Sequence, residues 1–145
     1  MLKRFTFWLW LAVIFQLLTG AIHSVGLFIT PTAANDTERQ LINLMLTYKL
    51  DMGAGFHRSM WDLFRALSSC YSLLCLLGGL TNIYLLKKRV AGDIVKGLAG
   101  IQVLVFGICF GVIVALTFLP PIVLTGLIEV SLLGVYLTSN RTSTT

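Results

Sequence analysis

Apolar residues run along this chain in four long blocks, roughly 5–29, 63–86, 94–119 and 122–138, parted by polar stretches. At a rise of 1.5 Å per residue, about 20 residues cross a ~30 Å hydrocarbon layer, so each block can span a bilayer as a helix. The fourth is the shortest, and it opens on Pro120-Pro121. Proline suits a first helical turn, where the amide has no partner to lose. So little chain separates the third and fourth blocks that their turn must be tight and the two helices antiparallel neighbours.

The pattern changes between the first two blocks. Asn35-Asp-Thr-Glu38 reads as a helix cap, with Asn35 as the cap and Glu38 three residues on. Asp36, Gln40, Asn43, Thr47 and Asp51 then recur on one side, and Leu41, Leu44, Met45, Tyr48 and Met52 on the other. That spacing predicts an amphipathic helix over 36–52, broken by Gly53-Ala-Gly55, lying on the outer membrane surface or capping the bundle. The fold class expected is an all-α membrane protein: four transmembrane helices in an antiparallel bundle, plus an amphipathic helix in the outer loop between helices one and two.

Composition agrees. Of 145 residues, 57% are hydrophobic and 12% charged, with a mean hydropathy of +0.87. Soluble domains carry about 25% charged residues. The deficit excludes an ordinary soluble enzyme, a disordered tail and a nucleic-acid-binding module, and leaves one small membrane domain.

Charge placement sets the topology. Lys3 and Arg4 precede the first block, Lys87, Lys88 and Arg89 sit between the middle two with Lys96 at the edge of the third, and Arg141 follows the last. These seven of the eleven basic residues fall on one side of an even number of crossings, and the positive-inside bias makes that side cytoplasmic. Both termini are then cytoplasmic and 30–62 lies outside. Met1-Leu-Lys-Arg, the apolar run and Thr19-Gly20-Ala21 also fit a cleavable secretory signal. The apolar character continuing through Leu27-Phe28-Ile29 favours a complete span. Asn35-Asp-Thr37 and Asn140-Arg-Thr142 match glycosylation acceptors, tripeptides that recur by chance.

Ionisable groups inside a span are costly, by roughly 2.5–3.5 kcal/mol at its centre, and so point to function. Glu129 lies near the middle of the fourth block, His23 in the outer part of the first, and Arg65 near the outer start of the second. Counting 1.5 Å per residue puts them about 10–12, 8–10 and 5 Å below the outer face. Gln16, in a stripe with Ala12, Thr19, His23 and Gly26, and Ser68 and Ser72, in a stripe with Arg65, Cys75, Gly79 and Asn82, extend a candidate outward-facing polar pocket. Gly97, Gly100, Gly107 and Gly111 form a small-residue seam in the third block, which permits close helix approach. The same stripes serve packing alone equally well. Glu129 could be protonated and bonded to a neighbouring hydroxyl, amide or histidine, and His23 to a carbonyl.

Cys70, Cys75 and Cys109 contain no CxxC pair, and the five-residue step from Cys70 to Cys75 separates them by about 140° around a helix. Thiol-redox chemistry and a metal site are therefore disfavoured. The only two histidines lie on different elements, so haem is disfavoured too. No cofactor is expected.

Gly20-Ala-Ile-His23, Pro31, Leu44-Met45 with Tyr48, Phe56-His-Arg-Ser59 and Asp62-Leu-Phe64 together resemble a family of small bacterial four-helix inner-membrane proteins. The resemblance covers most of the chain. It implies the fold and a bacterial inner-membrane location, and no activity. Three functions fit. The first is a binding or accessory module whose partners are membrane lipids and a lipid-like or quinone-like small molecule. The second is a small membrane enzyme in which His23 and Glu129 exchange a proton while Arg65 stabilises negative charge. The third is a transporter or channel subunit acting as a homo-oligomer.

Overall fold

The computed structural model describes residues 4–29 and 31–139. Met1, Lys3, Thr30, Asn140 and Arg141, used in the sequence reading, lie outside the described residues. The elements are α1 (Arg4–Gly26), α2 (Asp36–Thr47), β1 (Lys49–Asp51), β2 (His57–Ser59), α3 (Met60–Lys88), α4 (Gly92–Leu116) and α5 (Leu119–Thr138). Four of these helices, α1, α3, α4 and α5, are long and apolar enough to cross a membrane.

The chain divides into two compact units, Ala21–Leu73 and the remainder, with α1 and α3 contributing to both. In the second-named unit, Leu9, Leu85, Val95, Ala99 and Val135 form a buried cluster, with Trp8, Leu86 and Val90 packed against it. Trp8 lies so close to Gly134 that a Cβ there would overlap the indole. The link between α4 and α5 is two residues, and Thr117 N–H closes α4 on Ile113 O at 2.9 Å. Pro120 and Pro121 occupy the first turn of α5, as the sequence predicts. Contacts descend one helix as they climb the other: Gly100 meets Tyr136, Gly107 meets Glu129 and Phe110 meets Gly126. These two helices are antiparallel neighbours.

The α3 end is a Schellman stop. Val90 N–H bonds Leu85 O and Arg89 N–H bonds Leu86 O, both at 3.3 Å. Arg89 holds the left-handed position, at φ 49. Glycine usually fills that place, because an L side chain there costs roughly 1–2 kcal/mol.

In the unit Ala21–Leu73, α2 begins as predicted. Asn35 Oδ1 accepts Glu38 N–H at 2.9 Å, and Glu38 Oε2 accepts Ala34 N–H at 2.7 Å. The helix expected to reach residue 52 stops at Thr47. Residues 49–51 instead pair antiparallel with 57–59, in the register Lys49↔Ser59, Leu50↔Arg58 and Asp51↔His57. The cause is the tip: Gly53, Ala54 and Gly55 all take positive φ (80, 50 and 80). That geometry folds the chain back, and Asp51 Oδ1 secures it by accepting Gly53 N–H at 2.9 Å. Asp51 and Met52 matched the helical faces only because so short a strand samples too few positions to break a 3.6-residue period. The hairpin runs straight into α3 through a reciprocal cap: Ser59 N–H to Asp62 Oδ2 at 3.0 Å and Asp62 N–H to Ser59 Oγ at 3.1 Å. Lys49 Nζ adds an ion pair to the same carboxylate at 3.1 Å.

Candidate functional site: an amide ring and a lone carboxyl

Three carboxamides from three helices close on one another inside the larger unit. Gln16 of α1 donates through Nε2 to Gln102 Oε1 of α4 at 2.9 Å. Asn82 of α3 donates through Nδ2 to Gln16 Oε1 at 2.8 Å and to Gln102 Oε1 at 3.1 Å. Gln102 Nε2 returns a bond to Asn82 Oδ1 at 2.9 Å. Gln16 and Asn82 are fully buried. The ring exists because position 78 is glycine: a Cβ there would overlap the Gln16 carboxamide and lie 3.3 Å from Gln102 Oε1. Every carbonyl oxygen of the ring accepts and every amide nitrogen donates, so it holds helices together and offers a ligand little.

Glu129 is different. It projects from α5 toward α4 at Gly107, where an added Cβ would stand 3.4 Å from Oε1. Its Oε2 is buried and has no hydrogen-bond partner among the described residues. The carboxyl thus keeps acceptor capacity, and when protonated a donor, that its own chain leaves unused.

The remaining predicted site residues belong to the unit Ala21–Leu73. His23 is half-buried, its ring edge-on to Tyr71 with centroids 5.2 Å apart and planes at 82°. Arg65 is exposed. Ser68 is half-buried, and Ser72 is buried with its hydroxyl unpartnered among the described residues. Of the predicted set, only Gln16 enters a hydrogen-bonded cluster, alongside Asn82 from the predicted α3 stripe. Gln102 is not in the predicted set, although a carboxamide in so apolar a run is a visible signal. Of the seam glycines, Gly100 and Gly107 take close neighbours, from Tyr136 and Glu129, whereas a Cβ at Gly97 or Gly111 would meet no described atom within 4 Å. No metal-binding group of three or more His, Cys, Asp or Glu occurs among the described residues.

Compared with known protein families, curated proteins and solved structures, the chain has no match.

Proposed function

We propose that this chain is a multi-pass protein of a bacterial inner membrane, an antiparallel four-helix bundle with both termini cytoplasmic and 30–62 outside. Its role is that of a binding or accessory module for a lipid-like or quinone-like molecule, recognised through Glu129. The observation that carries the reading is the buried, unpartnered Glu129 Oε2 beside Gly107. A polar atom held in apolar surroundings without a partner costs on the order of 1–3 kcal/mol, which a ligand hydrogen bond would recover. Apolar cover is also needed: Leu104, Ile108 and Leu137 are 65%, 62% and 73% exposed. Patches of that kind on long apolar helices fit contact with lipid.

The test is the content of amphipathic molecules in the full chain purified in mild detergent, for wild type and for Glu129→Leu. Wild type is expected to retain about one molecule per chain, and the variant about 10-fold less, the loss of one buried hydrogen bond. With ligand stripped from both proteins, the variant's thermal stability should match or exceed that of wild type, since an unpaired polar group is gone. Equal ligand content, or a ligand-free variant less stable than ligand-free wild type, would overturn the reading.

A further inference from the structure

We propose that the α3–α4 turn is a binding site for the headgroup of an anionic phospholipid, with Lys87, Lys88, Arg89 and Lys96 as its cations. The proposal rests on the reading of α3 and α4 as membrane-spanning, which sets their turn at headgroup depth. Four cations fall within ten residues, against a single acid, Asp93. None has a carboxylate partner among the described residues. In the unit Ala21–Leu73, by contrast, Arg39 is paired to Asp36 at 2.8 Å and Lys49 to Asp62 at 3.1 Å.

Helix-end electrostatics account for Lys87 and Lys88, because the last turn of a helix favours positive charge. They do not account for Arg89 or Lys96. Arg89 occupies the left-handed stop at φ 49, where glycine would be the more stable choice. What the position gains in exchange is a guanidinium at the apex of the turn, the group best suited to two phosphate oxygens at once. Lys96 stands in the second turn of α4, its ammonium 5.1 Å from the centre of the Tyr136 ring. That ring passes Gly100, where an added Cβ would come within 3.2 Å of it. The packing of α4 against α5 thus holds the Lys96 ammonium in place.

A free phosphate would need only the charges. A lipid needs an apolar track as well, and one leads to the site: Leu76, Leu80, Tyr84 and Lys88 follow one another at four-residue steps on α3, all exposed. Each step of four drifts about 40° around the helix, so the stripe winds gradually round α3 and leads an acyl chain from Leu76 to the headgroup at Lys88.

The experiment uses the full chain purified in dodecylmaltoside and follows its unfolding temperature on adding phosphatidylglycerol, phosphatidylcholine or inorganic phosphate at equal concentration. Phosphatidylglycerol alone should raise it, by several degrees. Arg89→Gly should unfold no lower than wild type without lipid, because the strained position is relieved, yet lose at least half of the lipid-dependent rise. Lys96→Gln should lose it to a similar extent. A rise that survives both substitutions, or one that phosphatidylcholine or inorganic phosphate matches, overturns the headgroup site. Alkaline carbonate extraction of membranes from producing cells separates the two levels of failure. A chain left in the pellet without the anionic-lipid rise refutes the site alone, whereas a chain released into the supernatant refutes the spanning reading and the site with it.

Discussion

A carboxamide inside an apolar helix is tolerated when its donors and acceptors are met, and Gln16, Asn82 and Gln102 meet one another's. Removing Gln102 takes the partner from Gln16 Nε2 and from Asn82 Oδ1, while removing all three leaves nothing unpaired. Gln102→Leu should therefore lower stability by roughly 0.5–2 kcal/mol, the range of interhelical hydrogen bonds in lipid and of buried unsatisfied groups. The triple replacement of Gln16, Asn82 and Gln102 by Leu should recover most of that loss. Denaturant unfolding of wild type, the three single Leu variants and the triple variant in one detergent checks it; a triple loss larger than the sum of the single losses would mean that the ring contributes more than mutual satisfaction. Gln16 was legible as a polar position on a small-residue stripe. Its pairing with Asn82 and Gln102 was not, because periodicity reports which face a residue occupies and not which helix that face meets.

At the scale of elements, close approach is decided by a few glycines. Gly134 faces the Trp8 indole with no room for a Cβ, and Gly78 and Gly79 make the equivalent allowance for Gln16 and Leu17. Gly134→Ala should cost about 1–3 kcal/mol through overpacking. Trp8→Phe, added to it, should restore part of the loss by vacating the space. A double-mutant cycle in thermal unfolding measures this, and additive losses would contradict the contact. The seam glycines of α4 were the visible ones in the sequence, at helical spacing; Gly134 of α5 carries the tighter contact, and no spacing marks it because its neighbour comes from a distant part of the chain. The shortened α2 follows the same logic. Its amphipathic spacing continues to Met52, but the three positive-φ residues 53–55 impose a hairpin that reclaims 49–51 as a strand. Backbone geometry there outweighs side-chain pattern.

For the whole molecule the decisive expectation is topology. With both termini and the α3–α4 turn cytoplasmic, a single cysteine replacing Lys88 should react with a membrane-impermeant maleimide only after the cells are opened. One replacing Thr37 should react in cells whose outer envelope alone is permeable; both variants need Cys70, Cys75 and Cys109 replaced by Ser. Reaction of the two positions from the same side would contradict the assigned crossings. The presence of four long apolar helices, the α4–α5 turn and the cap at Asn35 were determined by the sequence alone, because each depends on residues near one another along the chain. The amide ring, the Trp8–Gly134 contact, the unpartnered oxygen of Glu129 and the Lys96–Tyr136 stack were decided only by tertiary structure. Each arises where different helices face one another, and which atoms meet, or are left without a partner, depends on the rotation and depth of one helix against another, which no local pattern specifies.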